Sequence, residues 1–399
     1  DIASLARPVS SWLARCDSAE TLAEAAAEAI AAARRGGVAT LIVPHDVQLA
    51  PATGLARSPR PAPPPAPSAP AVEAAAALLR RPGPAALYLG GAGLGVRGLR
   101  AAARIVAVRG CRLLCDTFPA RVERGRGLPT VERLPYFPED AIATLALQQQ
   151  IVFAGARPPV SFFGYPGVAS RLVPKDCECV ALAGVEDDAA DALEALADAL
   201  GAPARAHPAA PPLPAPPSGG ALGPDAVAAT LARLQPEDAI VMDEGLTASV
   251  PYFAAAAGAA PHSYLGLTGG AIGQGLPCAS GAALACPDRR VIALQADGSG
   301  MYTLQALWTQ AREGLDVTNL ILANRGYRIL NLELARAGVA EPGPQVAALT
   351  ELERPALDWV RLARGFGVPG VRVETMEALA VELERALAEP GPSLLELVL

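Results

Sequence analysis

Short apolar runs alternate with longer helix-forming segments along this sequence, and the alternation restricts the fold more than any other feature. In the carboxyl-terminal part the apolar runs cover residues 239–242, 291–296, 318–323 and 393–398. Helical patterns cover residues 303–313, 358–365 and 376–388. Strands that alternate with helices form parallel sheets, because a crossover must bring the chain back before the next strand can start. We therefore predict an α/β fold of doubly wound parallel sheets, whose ligand sites lie at the carboxyl ends of the strands.

Two proline-rich stretches divide the 399 residues into three parts, because their stiff, extended composition is typical of linkers between domains. The predicted linkers are residues 51–70 and 206–222. Residues 71–205 then form a predicted central Rossmann-like domain, with a helix at 98–109 and strands at 85–89, 111–115, 151–154 and 179–182. Residues 223–399 form the carboxyl-terminal domain. Residues 1–50 contain one predicted helix, 21–33, and one strand, 38–44, which are too few for a domain and are interpreted as the tail of another unit.

Composition and charge argue against several classes of protein. Apolar residues make up 51% of the chain and charged residues 18%, which is typical of a globular protein. The net charge of −7 argues against nucleic acid as a partner, since a nucleic-acid binder needs a basic face. No apolar run reaches the roughly 18 residues of a membrane helix, and the seven cysteines lack zinc-type spacing. We expect a soluble, cytoplasmic protein with reduced thiols and no membrane partner.

Asp297 and Asn324 are the chemically most informative residues, because each lies at the end of a predicted strand. Asp297 begins the turn Asp-Gly-Ser-Gly, and Asn324 follows 27 positions later. A crossover of that length returns the chain beside its start, so both side chains are expected at the same sheet edge. A carboxylate and an amide oxygen suit Mg²⁺, which takes few protein oxygens and completes its shell with phosphate oxygens and water.

The glycines of this turn allow two interpretations. Gly298 and Gly300 would let the backbone approach a phosphate, and a helix starting near Tyr302 would point its amino end toward it. Taken alone, however, the four residues are more often a simple β-turn, with Asn324 as a cap.

Three sequence blocks in a fixed order carry a resemblance to a known enzyme family. The blocks are Gly-Gly-Ala-Ile-Gly-Gln-Gly-Leu-Pro at 269–277, Arg-Val-Ile-Ala-Leu-Gln-Ala-Asp-Gly-Ser at 290–299 and Leu-Ala-Asn-Arg-Gly-Tyr at 322–327. With them the sequence resembles the thiamine-diphosphate enzymes of the acetolactate synthase and benzoylformate decarboxylase type over essentially the whole chain. The resemblance implies that residues 1 to about 50 are the end of that family's amino-terminal pyrimidine-binding domain, most of which lies outside this chain.

The resemblance also implies which residues hold thiamine diphosphate and Mg²⁺. The expected cofactor-binding residues are Glu244, Gly245, Leu246, Thr247, Gly270, Ala271, Ile272, Asp297, Gly298, Ser299, Asn324, Gly326 and Tyr327. Asp297, Asn324 and the carbonyl of Gly326 would be the metal ligands. Ile272 would force the cofactor into its bent shape, and the carbonyl of Gly270 would accept a hydrogen bond from its 4′-amino group.

The sequence departs from the family pattern at three points. Ala296 stands where the motif has its first glycine, and Ala323 stands where it has the first of two asparagines. In this family the glutamate that activates the cofactor lies on the amino-terminal domain, usually of the partner subunit. No residue of this chain is assigned that catalytic role, and the resemblance implies a homodimer or homotetramer.

A second motif competes for a cofactor in the central domain. Gly93, Gly95 and Gly98 match the dinucleotide-binding fingerprint after a strand and before a helix, and Asp116 at the end of the next strand would bind a ribose. Some acetolactate synthases hold FAD in this domain, whereas many relatives do not. Since such glycines also serve close packing, packing is the favoured interpretation and FAD the alternative.

The remaining histidines and tryptophans are interpreted as structural. His262 is expected to be a hydrogen-bonded structural residue, His45 a turn residue and His207 a solvated linker residue. Trp308 and Trp359 fall on predicted helices and are expected in the core.

The hypothesis implied by the resemblance is decarboxylation of a small-molecule 2-oxo acid with thiamine diphosphate and Mg²⁺. Acetolactate synthesis from pyruvate is the first choice. Two alternatives stay open, namely a benzoylformate decarboxylase-like enzyme that does not ligate, and a module that binds the cofactor or a dinucleotide without turnover.

Overall fold

A computed structural model describes residues 1–52, 66–215, 219–339 and 341–399. Most of the first predicted linker and three residues of the second lie outside these ranges. The helix that opens the central part begins at Ala69, inside the segment predicted as linker. Within the described ranges no helix is long and apolar enough to cross a membrane.

The first 52 residues form a small helix-and-strand unit. Its helices are α1 Ile2–Ala6, α2 Ala19–Ala33 and α3 His45–Leu49, and its strands are β1 Trp12–Arg15 and β2 Ala39–Ile42. β1 pairs in parallel with β2. The sequence predicts α2 and β2 to within two residues, but it misses β1, whose apolar run is only three residues long, and α3, where His45 begins a short helix.

The central unit is a five-stranded sheet in which all neighbouring strands are parallel. Its elements are α4 Ala69–Arg80, β3 Ala85–Leu89, α5 Val96–Arg109, β4 Arg112–Cys115, β5 Arg121–Arg124, β6 Glu132–Arg133, α6 Pro138–Ala146, β7 Gln150–Ala154, β8 Glu178–Ala183 and α7 Ala189–Ala199. The strand order is β6-β4-β3-β7-β8. Leu87 and Leu89 pack with α4, α5 and α7, whereas Ala86 and Tyr88 pack with α6, so helices cover both faces.

The glycine-rich turn of the central unit is tightly packed. A Cβ at Gly98 would lie 2.6 Å from both the carbonyl oxygen of Ala92 and the Cα of Gly93. The helix α5 therefore needs glycine there in order to lie against the preceding turn. Asp116 accepts a hydrogen bond from the Tyr88 hydroxyl at 2.7 Å. Gly98 and Asp116 thus both have contacts within the protein. This supports the packing interpretation over the FAD alternative.

The carboxyl-terminal unit is built on a seven-stranded sheet. Its elements are α8 Pro224–Leu234, β9 Ala239–Glu244, α9 Val250–Ala255, β10 His262–Gly266, α10 Gly275–Ala285, β11 Val291–Ala296, α11 Asp297–Gly300, α12 Ala306–Glu313, β12 Val317–Ala323, α13 Arg328–Arg336, α14 Pro344–Thr350, α15 Trp359–Gly365, β13 Gly370–Val373, α16 Met376–Ala388 and β14 Ser393–Val398. The strand order is β13-β14-β12-β11-β9-β10-β5. The predicted α/β fold is confirmed.

Side chains of β11 show how the two faces of this sheet are covered. Ile292 and Leu294 pack with α8, α9 and α16, whereas Val291 and Ala293 pack with α10 and α12. The seventh strand is β5, which leaves the central unit and pairs antiparallel with β10. The two sheets are thus joined by a strand that the sequence did not predict. The domain boundaries given above remain a prediction.

The two tryptophans predicted in the core differ in burial. Trp359 of α15 is completely buried, as expected. Trp308 of α12 is 51% exposed and lies under the guanidinium of Arg312, 4.8 Å from the ring centre. The prediction for Trp308 was wrong, because α12 presents that position to solvent while Leu307 and Ala306 face the core.

His262 begins β10 and is buried. Its Nδ1 lies 2.8 Å from the carbonyl oxygen of Ala260, the geometry of a hydrogen bond donated to that carbonyl. Burial, aided by the positive charge of Arg124, lowers the pKa of His262 to about 4. The contacts support the structural role expected from the sequence.

We predict that protonation of His262 in the unfolded chain weakens the fold at acidic pH. The folded pKa lies below the ordinary value of 6.5, so the penalty is absent above about pH 6.5 and grows as the pH falls toward 4. Urea denaturation at pH 7 and 4.5 should show that His262→Leu loses about 2 kcal/mol less unfolding free energy than the wild type between these pH values. Equal losses in the two proteins would contradict the assignment.

Candidate functional site at the carboxyl ends of three strands

Three neighbouring strands end side by side at one edge of the seven-stranded sheet. In the parallel register, Gln295 of β11 pairs with Glu244 of β9, and β11 pairs on its other side with β12. The turn that begins at Asp297 and the loop that begins at Asn324 therefore start from the same edge. This is the place where doubly wound sheets hold their ligands.

The Asp297 carboxylate joins the turn after β11 to the loop after β12. Its Oδ1 accepts a hydrogen bond from the Gly298 amide at 2.8 Å, and its Oδ2 accepts one from the Arg325 amide at 2.7 Å. The residue is only 2% exposed. Burial raises the pKa of Asp297, and the two amide hydrogen bonds oppose that rise. The structure thus brings together the two segments that the spacing predicts.

The loop after β12 is held from both sides. Arg325 adopts a left-handed backbone conformation with φ of 57°. Its carbonyl accepts a hydrogen bond from Leu352 at 2.8 Å, while the Asn324 Oδ1 accepts one from the Gly326 amide at 3.1 Å. Tyr327 then donates its amide hydrogen to the Thr350 carbonyl at 2.8 Å. Asp297 on one side and the segment around Thr350 on the other fix the shape of the loop.

The glycines of the Asp297 turn have packing roles. A Cβ at Gly298 would lie 2.6 Å from Cε1 of Tyr327, and a Cβ at Gly300 would lie 2.9 Å from Cη2 of Trp359. α11 begins at Asp297 and spans four residues, and the longer α12 begins only at Ala306. The prediction of a helix start near Tyr302 was therefore wrong, because consecutive tight turns fill the interval.

Glu244 supports the site from inside. Its carboxylate is completely buried and accepts hydrogen bonds from the amides of Gly273 at 2.7 Å and Gly275 at 2.5 Å. It also accepts one from Nε2 of Gln295 at 3.1 Å. The sequence predicted Glu244 as a cofactor-binding residue, but its side chain is fully engaged with the protein. It links β9, β11 and the loop before α10.

Ser299 is also turned inward. Its Oγ accepts a hydrogen bond from Nε2 of Gln295 at 2.6 Å and is 1% exposed as a residue. The resemblance implies that Ser299 binds the cofactor at its diphosphate, and such a contact would have to come from the backbone of Ser299. Gln295 connects Ser299 to Glu244 and was missed by the sequence reasoning, although a polar residue in the apolar run at 291–296 was a visible signal.

The loop at 268–274 presents a row of backbone groups. Gly269 and Gly270 both have positive φ, 65° and 66°, and a Cβ at either would meet nothing within 4 Å. Gln274 closes the loop by donating to the carbonyls of Thr268 at 3.0 Å and Ala271 at 3.2 Å. Gly270 and Ala271 are exposed and Ile272 is half-buried. The loop is therefore shaped by glycines and held by the side chains of Gln274, Glu244 and Thr303, of which Thr303 donates to the Gly273 carbonyl at 2.8 Å.

The turn after β9 is fixed by a network that the sequence did not reveal. The Gly245 amide donates to Oδ1 of Asp243 at 3.0 Å, and Oδ2 of Asp243 accepts a hydrogen bond from the Tyr264 hydroxyl at 2.8 Å. Arg133 of β6 donates to the same hydroxyl at 2.8 Å. The turn places Leu246, with φ of 50°, and Thr247 in half-buried positions at the site.

The donor set at this edge fits a hard cation. Among the residues that the structure describes, every ion pair involves carboxylates other than Asp297, so this buried carboxylate has no protein cation. Buried charges are costly unless they are paired or coordinate a metal. The described residues contain no cluster of three His, Cys, Asp or Glu that could hold a metal. The predicted ligand set consists of one carboxylate, from Asp297, one side-chain amide, from Asn324, and one backbone carbonyl. It is therefore not a cluster of that type.

A cleft opens next to this loop, between α13 and α14. Its volume is about 470 Å³, within the range of small-molecule sites. Asn324 and Gly326 line one end, and Arg328, Asn331 and Glu351 line the walls. Two of the three predicted metal ligands, Asn324 and Gly326, therefore border a space that a small molecule could enter, whereas Asp297 does not line it.

Comparison with known proteins identifies the family. Residues 250–397 match the family described as thiamine pyrophosphate enzyme, C-terminal TPP binding domain. A Mycobacterium tuberculosis protein provisionally named acetolactate synthase large subunit IlvX is 47% identical over 405 residues, which cover 100% of this chain and 77% of that protein. Benzoylformate decarboxylase of Pseudomonas aeruginosa is 37% identical over 235 residues, which cover 58% of this chain and 42% of that protein.

Solved structures show the same fold. A thiamine diphosphate-dependent 4-hydroxybenzoylformate decarboxylase of Rhodococcus jostii RHA1 superposes with a TM-score of 0.80 at 25% identity, covering 100% of this chain and 78% of that chain. Benzoylformate decarboxylase of Polynucleobacter necessarius superposes with a TM-score of 0.79 at 21% identity, covering 100% of this chain and 77% of that chain. Identity of 47% across 77% of the M. tuberculosis relative decides the family. The chain belongs to the thiamine-diphosphate-dependent enzymes of the acetolactate synthase and benzoylformate decarboxylase type.

Proposed function

We propose that this chain decarboxylates a 2-oxo acid with thiamine diphosphate and Mg²⁺ and transfers the acyl unit to a second 2-oxo acid, with pyruvate as the donor. The observation that carries the proposal is the buried Asp297 carboxylate, which bridges two loops at the sheet edge and lacks a protein cation among the described residues. The M. tuberculosis relative supports acetolactate synthesis as the first choice.

The residues of this chain would bind and orient the cofactor. Asp297, Asn324 and the carbonyl of Gly326 would hold Mg²⁺, which prefers oxygen ligands in octahedral geometry. Thr247 would donate its hydroxyl hydrogen on the phosphate side. When bound, thiamine diphosphate supplies the electron sink that decarboxylation of a 2-oxo acid requires.

The loop at 268–274 would act on the other end of the cofactor. Ile272 is half-buried and would pack against the cofactor, holding it bent. The carbonyl of Gly270, in a loop closed by Gln274, would accept a hydrogen bond and so orient the amino group. The activating glutamate would come from an amino-terminal domain of the partner subunit, so we propose that the active protein is a homodimer or homotetramer.

Simple decarboxylation without ligation is the second candidate. It is favoured by the identity of 37% to benzoylformate decarboxylase over 235 residues. It is also favoured by the TM-score of 0.80 to the 4-hydroxybenzoylformate enzyme. The two candidates use the same metal site and differ in the substrate and in the fate of the acyl unit.

Turnover assays separate these candidates. The purified full-length protein, with the amino-terminal domain that would supply the activating glutamate, would be given thiamine diphosphate, Mg²⁺ and either pyruvate or benzoylformate, and both CO₂ and acetolactate would be measured. Acetolactate from pyruvate would support the proposal, whereas CO₂ from benzoylformate without a ligation product would support the second candidate. Calorimetric binding of the cofactor without CO₂ from either acid would indicate a module without turnover. Failure to bind the cofactor at all would reject the proposed site.

A further inference from the structure

Helix α13 follows directly on the loop Asn324–Gly326, yet it is poorly anchored by apolar contacts. None of residues 328–336, all of which the structure describes, is buried. Helices in proteins depend mostly on packing of an apolar face, so this helix must be held in another way. One side of α13, including Asn331 and Leu334, forms a wall of the cleft. Whatever fixes α13 therefore also fixes that wall.

The other side of α13 is attached to the central unit through Arg336. The guanidinium carbon of Arg336 lies 4.6 Å from the ring centre of Phe137 and 4.4 Å from that of Tyr165. Its Nη2 donates to Oε1 of Glu139 at 2.7 Å. The Tyr165 hydroxyl donates to Oε1 of Glu333, one turn earlier on α13, at 2.9 Å. Two aromatic rings and a carboxylate of the central unit thus surround one side chain of α13.

The chemistry of this contact depends on arginine. A planar guanidinium can stack on aromatic rings and donate to a carboxylate in the same arrangement, whereas the compact ammonium of lysine cannot do both equally well. The Arg336 side chain is 28% exposed and that of Glu139 is 47% exposed, so the ion pair itself lies close to solvent. Exposed ion pairs contribute little, so the stacking of the guanidinium on Phe137 and Tyr165 is what distinguishes this contact from the other ion pairs on the surface.

The loop that joins this helix to β12 has two ends to hold. Its first end is fixed by the hydrogen bond from the Arg325 amide to Asp297. Its second end continues into α13. Arg325, in the middle of the loop, has a φ of 57°, a backbone conformation that costs free energy for any residue other than glycine. If α13 were released, the loop would keep only its hydrogen bonds to Asp297 and to the segment around Thr350, so opening from that strained conformation would become easier.

We propose that Arg336 is a positioning residue, whose contacts with Phe137, Tyr165 and Glu139 hold α13 and thereby keep the Asn324–Gly326 loop in the shape that receives Mg²⁺ and the diphosphate. The effect on the metal and cofactor rests on the proposed function. The attachment of α13 to the central unit does not.

Hydrogen exchange of the chain without cofactor tests the attachment. In Arg336→Ala, amides of residues 325–336 should exchange about tenfold faster or more, because local opening becomes easier. Arg336→Lys should lie between this variant and the wild type. The matched control is Arg312→Ala, which also removes an arginine that stacks on an aromatic ring, Trp308, and pairs with a glutamate, but on α12. Unchanged exchange of residues 325–336 in Arg336→Ala would overturn the proposal, provided that the central strands remain protected and the fold is intact.

Calorimetry with thiamine diphosphate and Mg²⁺ tests the consequence for the site. Arg336→Ala should bind the cofactor about tenfold more weakly, the scale on which residues that support metal ligands act, while Arg312→Ala should bind like the wild type. Faster exchange without loss of affinity would overturn the link between α13 and the site. If the wild type itself does not bind, the proposed function fails, and the exchange of residues 325–327 alone then decides whether Arg336 shapes the loop.

Discussion

Asp297→Ala should weaken the binding of thiamine diphosphate in the presence of Mg²⁺ by more than about 100-fold. Loss of a residue that only supports a metal ligand already costs 10–100-fold, and Asp297 is the anionic member of the proposed ligand set. The substitution also removes the acceptor of the Arg325 amide, so the loop carrying Asn324 and Gly326 loses its anchor. Calorimetric titration of the cofactor at fixed Mg²⁺ concentration measures the effect.

Asp316→Ala is the matched control for this prediction. Asp316 precedes β12 at the opposite end of the strand from Asn324, and its Oδ1 accepts a hydrogen bond from the Gly391 amide at 2.5 Å. Both substitutions thus remove an aspartate that accepts a backbone hydrogen bond beside the same strand. We expect Asp316→Ala to keep wild-type affinity. Wild-type affinity in Asp297→Ala, or an equal loss in the control, would remove Asp297 from the metal site.

The meeting of Asp297 and Asn324 could be predicted from the sequence because it depends on topology. Parallel strands joined by a crossover bring their carboxyl ends to one edge whatever the details of packing. The sequence therefore placed both residues correctly, 27 positions apart, directly after the carboxyl ends of neighbouring strands. The parts of the site that follow from strand order needed no knowledge of side-chain contacts.

The direction of individual side chains could not be predicted in the same way. Ser299 follows Asp297 by two residues, and the resemblance to the family placed it at the diphosphate, yet its hydroxyl points inward to Gln295. The sequence suggested that Gly298 lets the backbone approach a phosphate. In the structure, the ring of Tyr327 lies where a Cβ at this position would be. These features depend on neighbours brought close by folding, which single-sequence patterns do not encode.

Contacts between the two sheets were the least predictable. β5 has only four residues, of which three are charged, so nothing in its pattern indicates a strand. It pairs with β10, more than a hundred residues away, and β10 itself carries His, Ser and Tyr instead of an apolar run. The Arg336–Glu139 contact joins residues 197 positions apart. Long-range pairings of this kind are fixed by packing and not by local periodicity.

Glu244→Ala should lower the free energy of unfolding by about 3–9 kcal/mol, since it leaves three buried or half-buried donors without this acceptor at about 1–3 kcal/mol each. Those donors are the amides of Gly273 and Gly275 and the Gln295 side chain. Glu244→Gln should lower the free energy of unfolding by less, about 1.5–3 kcal/mol. The glutamine amide keeps one acceptor oxygen, so only a hydrogen bond to the charged carboxylate is lost. Urea denaturation measures both values.

Glu396→Gln is the matched control, because Glu396 is equally buried in the same sheet but pairs with Arg372 instead of backbone amides. It should be destabilised without faster hydrogen exchange in residues 268–275, whereas both Glu244 variants should show faster exchange there. If Glu244→Ala unfolds at the wild-type denaturant midpoint, the loop must be held by Gln274 and by the Thr303 hydroxyl, which donates to the Gly273 carbonyl. Glu244 would then be free for the direct contact with the cofactor that the sequence resemblance implies, and the internal support described for it would be wrong.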